Sequence, residues 1–478
     1  MKRVQKLIYL LLMILSDVFI LFVSFLLAFF IRIHILPAIF PSLLGPFFSL
    51  SSQLRHGFFY SAFIVIIIFI FEKLYVKRFT FWDETRHLLK GLTLSFALIM
   101  TTVFILRSYE QYSRAVIVVS WALSLVLFPS FRLIVRKFFV KTNLWKKKVV
   151  ILGTGEMAKS AAQEIIKNPV MGYEIVGFLT DDKKRIGKNL GGYKILGEIH
   201  QLEKLAPRLG IKDIIIALPK SSQQELISMM RQCEKKGETI RIIPSMGNLF
   251  TIGVEIENIG DILSLSVARN LIKPWNIFLK SAFEFTLAIF LSVLFLPVFL
   301  ATALAIKVSS PGPAIYVQER LGKRNKIFKF YKFRSMFVDS DTRLEAYLRK
   351  NPNAQKEWEK YQKIRKNDPR VTGVGKFIRK FSIDELPQLI NFFKGEMNLV
   401  GPRPYLPREK KKIGRSYEII SQIKPGITGL WQVRGRNILT FKERLLNDEY
   451  YVRNWSLWLD IVILVKTVNV FITRQGAY

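Results

Sequence analysis

Two carboxylates stand side by side at Asp384 and Glu385, with two cations, Arg379 and Lys380, just before them. Pro387 follows, and proline is at home in the first turn of a helix, where its missing N–H costs nothing. The stretch 377–389 therefore predicts a helix beginning near Ser382 to Glu385, with Asp384 at its positive end. A helix N-terminus offers free N–H groups and a dipole that favours bound anions. Two acids, two cations and such a terminus suit a phosphate-bearing substrate and a divalent cation. A second reading needs no function, because Ser382-x-x-Glu385 is also a capping box. It accounts for Ser382 and Glu385 but leaves Asp384 and the flanking cations unexplained.

The rest of the chain limits the chemistry. No histidine follows His200, so acid–base work in the C-terminal part falls to carboxylates, Lys, Arg or Tyr. Cys233 is the single cysteine, which excludes an intrachain disulfide and a thiolate metal cluster. Half of the 478 residues are hydrophobic, 39 of them Phe, yet the formal net charge is +36. An apolar and strongly basic chain points to a membrane protein with an anionic partner, either anionic lipid or a phosphorylated substrate. Nucleic acid is the weaker choice, for there is no zinc-finger spacing and no RNP-like run.

Four apolar runs, at 7–33, 57–75, 88–106 and 115–140, predict an N-terminal bundle of four transmembrane helices over residues 1–145. Lys and Arg crowd the loop between the second and third runs and the segment after the fourth. Both ends of the bundle are therefore expected in the cytoplasm. Residues 146–245 alternate strand and helix signals, which predicts a Rossmann-like α/β domain with a parallel sheet. Gly153-x-Gly155-x-x-Ala158 fits the dinucleotide fingerprint at a strand–turn–helix junction. Whether this domain binds a ligand stays open, since a fold does not imply a function.

Residues 246–273 read as a linker with short strands, and 274–478 as an α+β domain that contains the acid pair. A fifth apolar run, 276–306, is interrupted by Pro297 and is basic at both ends. Both flanks obey the positive-inside rule if the run enters and returns on the cytoplasmic side, with its break at Pro297. A kinked spanning helix is the alternative. Tyr316–Arg320 and Lys326–Phe333 predict a hairpin, and 342–365 a charged helix. Gly/Pro loops at 400–404 and 424–436 carry arginines that could aim guanidinium forks at phosphate oxygens. Trp455 and Trp458 suit a last helix lying at the membrane interface, with a buried core helix as the alternative.

The second half resembles the polyprenyl-phosphate sugar-phosphate transferases, the monotopic phosphoglycosyl transferases that begin bacterial glycan assembly. The resemblance is carried by Ser310-Pro-Gly-Pro313, Phe330-Tyr-Lys-Phe-Arg-Ser-Met336, Asp368-Pro-Arg370, Ser382-Ile-Asp-Glu-Leu-Pro-Gln388, Val400-Gly-Pro-Arg-Pro404 and Lys424-Pro-Gly-Ile-Thr-Gly-Leu-Trp-Gln432. The four N-terminal runs and the middle domain are similar to the long form of that family, which includes undecaprenyl-phosphate galactose and glucose phosphotransferases.

The resemblance implies a reaction between a nucleoside diphosphate sugar, usually a UDP-sugar, and a polyprenyl phosphate. Asp384 is implied as the nucleophile, with a covalent phosphosugar intermediate, UMP as the leaving group and Mg²⁺ as the required cofactor. Asp384 and Glu385 are the metal candidates. Arg379, Arg403 and Arg436 match the phosphate-binding arginines, and 276–306 matches the re-entrant helix. The implied place is the bacterial cytoplasmic membrane, with the catalytic domain on its cytoplasmic face and O-antigen, capsule or exopolysaccharide as the final product. Homo-oligomerisation stays open, and no nucleic-acid partner is expected.

Two other functions compete. A membrane-tethered NAD-dependent dehydratase or epimerase would use the middle domain, but no tyrosine in the chain has a lysine four residues on. A non-enzymatic scaffold of polysaccharide assembly leaves the acid pair and its arginine loops without a purpose.

Overall fold

The computed structural model describes residues 3–40, 58–105, 113–218, 239–243, 254–259, 262–267, 271, 273–351, 355, 364, 368–435 and 439–473. The chain divides into two compact units, Met1–Ser245 and Met246–Tyr478.

The first unit begins with helices α1 (Arg3–His34), α2 (Phe59–Phe71), α3 (Phe81–Ile105) and α4 (Arg114–Lys141). α4 packs along both α1 and α3. These three are long and apolar enough to cross a membrane. Among the described residues, the second predicted run gives a 13-residue helix, about 20 Å long, against a hydrocarbon core of roughly 30 Å. Its end has a local cause. Glu72 and Lys73 break the apolar run, and Lys73 turns the chain with φ 57°. Inside the bundle, Arg132 donates Nε to Asp17 at 2.8 Å and Nη1 to Glu84 at 3.0 Å. Arg136 pairs with the same Glu84 oxygen at 2.9 Å, and the Tyr75 hydroxyl donates to Asp17 at 2.8 Å. Two acids and two arginines thus cancel within the helices that bury them.

The α/β part holds a six-stranded sheet in the order β3-β4-β2-β1-β5-β6. Its strands are β1 (Lys147–Leu152), β2 (Tyr173–Thr180), β3 (Asn189–Leu190), β4 (Tyr193–Glu198), β5 (Asp213–Ile216) and β6 (Thr239–Ile242). Five strands are parallel, but β3 runs antiparallel to β4. The sheet is therefore mixed rather than wholly parallel. The sequence reading missed β3 and β4 because this short hairpin turns on Gly191 and Gly192, both at positive φ. Residues 219–238 of the predicted α/β alternation lie outside the described residues. Arg78, in the turn after α2, donates to the carbonyls of Trp145, Met171 and Gly172 at 2.6–2.9 Å and stacks on Trp145. It ties the bundle to the α/β domain. Burial lowers its pKa to about 10, which leaves it charged at neutral pH.

The second unit opens with an antiparallel hairpin, β7 (Val254–Ile259) and β8 (Ile262–Val267), in the predicted linker. α7 (Pro274–Ser309) then runs for 36 residues and stays helical through Pro297. The predicted hairpin forms as β9 (Ile315–Leu321) and β10 (Ile327–Phe333). α8 (Ser340–Lys350) covers the start of the predicted charged helix, most of whose remainder lies outside the described residues. After it come α9 (Gly373–Lys380), α10 (Gln388–Phe393), β11 (Asn398–Val400), β12 (Gly426–Thr428), α11 (Leu430–Arg434), α12 (Phe441–Arg453) and α13 (Leu457–Thr473). Trp455 does not mark an interface. It is 2% exposed and donates its ring N–H to Asp460 at 2.8 Å, so it belongs to the core.

Candidate active site

The acid pair is held by three elements. Thr372 caps the start of α9, its hydroxyl accepting from the Gly375 N–H at 2.8 Å. Any side chain on Gly375 would strike the Ser335 carbonyl, so glycine lets α9 lie directly against the segment after β10. α9 ends at Arg379 and Lys380, and Ser382 then adopts a left-handed conformation (φ 53°, ψ 23°). That reversal starts a single 3-10 turn, Ile383–Glu385, which carries both acids. α10 begins only at Gln388 and has six residues. Two expectations are corrected here. Asp384 does not sit at the first turn of an α-helix, and Ser382 makes no side-chain cap bond, so the capping box does not form. Left-handed backbone at Ser382 carries its Oγ out of the geometry a cap needs.

Lys332 of β10 reaches across to the pair, with Nζ 3.1 Å from Glu385 and 3.8 Å from Asp384. Asn391 of α10 fixes that strand by donating to the Lys329 carbonyl at 2.6 Å and accepting from the Tyr331 N–H at 3.1 Å. Arg379 donates Nε to Ser335 Oγ at 2.8 Å. Burial lowers the Arg379 pKa, while Asp384 and Asp368 pull it back up. Asp368 grips Arg370 through both oxygens at 2.7 and 2.9 Å. Burial would raise the Asp368 carboxyl, but the hydrogen bonds from Arg370 hold it below its usual value.

Lys332, Arg379, Asp384, Glu385, Arg403 and Trp431 all line one cleft of about 1000 Å³. The Arg403 guanidinium lies 5.0 Å from the Trp431 ring centre. Of the sequence-predicted residues, the structure thus gathers Asp384, Glu385, Arg379 and Arg403. Arg436 lies outside the described residues. Gly153, Gly155 and Ala158 form the expected strand–turn–helix junction in the first unit. Gly153 has φ 111° against the Ala217 carbonyl, and Ala158 is fully buried under the sheet. Arg185 lies across that turn and donates to the Thr154 carbonyl at 3.0 Å.

Among the described residues, no group of three or more His, Cys, Asp or Glu gathers to hold a metal. Magnesium needs no such group. It commonly takes one or two carboxylates together with substrate phosphates. Asp384 and Glu385 on one turn of a cation-lined cleft fit that requirement.

Over 408 residues the chain is 36% identical to a UDP-galactose-lipid carrier transferase of Erwinia amylovora, and the match covers 84% of either protein. The chain belongs to the bacterial sugar transferases. The family model of that description matches residues 275–474, and one described as a CoA-binding domain matches 73–244. An undecaprenyl-phosphate galactose phosphotransferase of Salmonella typhimurium is also 36% identical over 84% of this chain and 84% of its own length. The exopolysaccharide production protein ExoY of Rhizobium meliloti is 40% identical over 207 residues, which are 43% of this chain but 91% of that one. Within the family this sugar transferase is of the long, polyprenyl-phosphate sugar-phosphate transferase type, with a relative of matching length in each of the first two cases.

Sequence reasoning passed over three features of this transferase. Lys332 stands within the Phe330–Met336 motif, but the sequence gives it no role of its own. Lys280 and Glu284, four residues apart in an apolar run, were a legible signal, since charges inside such a run need a partner. Asp448 gave no local signal. It is fully buried, with Oδ2 accepting from the Tyr405 hydroxyl at 2.7 Å and from the Arg403 N–H at 3.2 Å.

Proposed function

We propose that this chain transfers a sugar 1-phosphate from a UDP-hexose to a polyprenyl phosphate, such as undecaprenyl phosphate. The observation that carries the proposal is the single cleft in which Asp384 and Glu385 face Lys332, Arg379 and Arg403. The names of the relatives supply the substrate class.

In the first step an Asp384 carboxylate oxygen attacks the sugar-linked phosphorus. A P–O bond forms, the bond to the bridging oxygen breaks, and UMP leaves with the electron pair. A carboxylate is a weak nucleophile, but its acyl phosphate divides one hard displacement into two easier ones. In the second step a phosphate oxygen of the lipid attacks the same phosphorus. The aspartyl P–O bond breaks, polyprenyl diphosphosugar departs and the carboxylate is restored. Lys332 and Arg379 set positive charge beside the acids and orient them, and Arg379, Arg403 and Arg436 meet the charge that builds on the phosphoryl oxygens. Asp384 and Glu385 would hold Mg²⁺, which supplies further stabilisation of that charge when bound.

α7 gives the site its place at a membrane. Only 11% of its most apolar window is buried, so most of its surface needs lipid. Both of its ends nevertheless rest on the same globular unit. Glu284 accepts from the Val400 N–H at 3.0 Å, and at the other end Phe299 and Ile306 pack with Phe333 and Ile378. A spanning helix would part those ends by a hydrocarbon core of about 30 Å. A helix that enters and returns on the cytoplasmic face of the inner membrane, bending near Pro297, meets the packing and the basic flanks together. There a soluble sugar nucleotide and a lipid phosphate can reach one cleft, and the product would start an O-antigen, a capsule or an exopolysaccharide.

The test is isotope exchange. Radiolabelled UMP should enter UDP-sugar in the absence of lipid, and Asp384→Asn should lower that exchange at least about a thousandfold. Exchange that survives in Asp384→Asn would replace the covalent route by direct transfer in a ternary complex. A panel of labelled UDP-sugars followed by lipid extraction identifies the sugar.

A further inference from the structure

α7 carries two charges deep in its apolar sequence, Lys280 and Glu284, and both are buried. Their partners lie neither in lipid nor in solvent. Lys280 Nζ donates to Glu284 at 2.6 Å, to Asp460 at 2.8 Å, to the Val400 carbonyl at 3.0 Å and to the Tyr451 hydroxyl at 3.1 Å. Glu284 accepts from the backbone N–H groups of Leu399 and Val400, at 3.2 and 3.0 Å. Asp460 is held in turn by Tyr451 at 2.7 Å and Trp455 at 2.8 Å. One cation and two acids therefore close a knot among α7, α12, α13 and the end of β11.

The knot grips a particular place. Val400 is the last residue of β11, and Arg403 lies three residues on in the Gly401-Pro-Arg-Pro404 turn. The turn has little freedom elsewhere. Gly401 donates to the Thr428 carbonyl at 2.9 Å, and a side chain on Gly401 would strike the backbone of Gly426. Asp448 holds the Arg403 N–H itself. Glu284 therefore fixes the upstream edge of a rigid loop whose downstream arginine enters the cleft.

We propose that Glu284 is a positioning residue for the transfer reaction. It reaches out of the apolar helix to set the Leu399–Val400 backbone and, through it, Arg403, while Lys280 supplies the countercharge that lets the carboxylate stay buried. The inference rests on the reading of Arg403 as a phosphate ligand. It adds that the helix in the lipid and the arginine in the cleft form one mechanical piece.

A double-mutant cycle in full-length protein in nanodiscs tests this. The probes are undecaprenyl phosphate with UDP-galactose or UDP-glucose, whichever the wild type turns over. Glu284→Gln keeps one acceptor oxygen and nearly the same shape. It should lower kcat about 10- to 100-fold, because small misplacement of a catalytic group is costly, with the UDP-sugar KM changing far less. In an Arg403→Ala background the same substitution should change kcat by less than about twofold, since residues that act through one another do not add. Wild-type kcat in Glu284→Gln overturns the proposal, and so does a full loss that persists without Arg403. If Glu284→Gln does not fold, Glu284→Asp, which keeps the charge with a shorter reach, takes its place in the cycle under the same criteria. Failure of the site reading looks different. Arg403→Ala would then turn over like wild type, whatever Glu284 does.

Discussion

Two buried charge clusters of this transferase invite comparison. In the N-terminal bundle, Asp17 and Glu84 face Arg132 and Arg136, and all four belong to apolar helices that pack on one another. In the second unit, Lys280 and Glu284 leave their helix and take hold of another element's backbone. The packing differs in the same sense. In the long bundle helices 28–39% of the most apolar window is buried, against 11% in α7. The bundle solves its charge problem internally and gains closure. α7 buries far less of its apolar surface, and its charges find partners in the domain that carries the chemistry. Buried ion pairs of similar composition can therefore serve different ends, and the element at the far side of the pair decides which.

The comparison is open to direct attack. Lys280→Met strands Glu284 and Asp460 together, and breaking a buried pair in this way costs about 3–5 kcal/mol. The variant should lose both thermal stability and transfer per folded molecule. Arg132→Met leaves Asp17 with little beyond the Tyr75 hydroxyl. It should destabilise the bundle by a similar amount, about 3–5 kcal/mol, yet leave turnover per folded molecule near wild type. Equal losses of turnover in the two variants would end the distinction. Detergent melting curves alongside turnover normalised to folded protein provide the measurement.

A smaller effect concerns Asp448 under the arginine loop. Burial raises its carboxyl from 3.8 to about 7, with the Tyr405 and Arg403 hydrogen bonds offsetting part of the rise. Between about pH 4 and pH 7 the folded protein therefore holds a proton that the unfolded chain has released. Stability from this group is full below that window, falls as pH rises through it and levels off above. Asp448→Asn should remove that slope, so that the melting temperatures at pH 5 and pH 8 draw together. An unchanged difference would show that another group sets the slope. The smallest effect is expected from removing the first unit. The match to the ExoY relative spans 207 residues, 43% of this chain and 91% of that one. A chain of residues 246–478 should keep transfer within a few-fold of the full protein, as expected of a domain with its own core. Loss of activity in a folded truncated chain would give the bundle a part in the reaction.

Much of this was legible in the residues because the signals were local. The apolar runs marked α1, α3, α4 and α7, the paired strand signals at Tyr316–Arg320 and Lys326–Phe333 marked the β9–β10 hairpin, and the fingerprint glycines marked the first turn of the α/β sheet. The acid pair declared itself by type and spacing, together with Arg379 and Arg403. What stayed hidden depends on tertiary partners. Ser382 has the sequence of a cap, but its left-handed backbone prevents one. Trp455 looks interfacial until Asp460 claims its N–H. Lys332 is one of many lysines until β10 aims it at Glu385. Asp448 acquires meaning only when the chain brings Tyr405 and Arg403 onto it.

Arg78 is made early and satisfied late. Its most distant carbonyl partner, Gly172, comes 94 residues after it in the chain. At synthesis rates of about 5–20 residues per second, that interval is on the order of ten seconds. For that time the turn after α2 carries a cation without its three carbonyls. The bundle is therefore locked at this turn only when β1 and the Pro169–Gly172 turn have emerged and folded. In the growing chain the α/β domain acts as the keystone of the membrane part that precedes it.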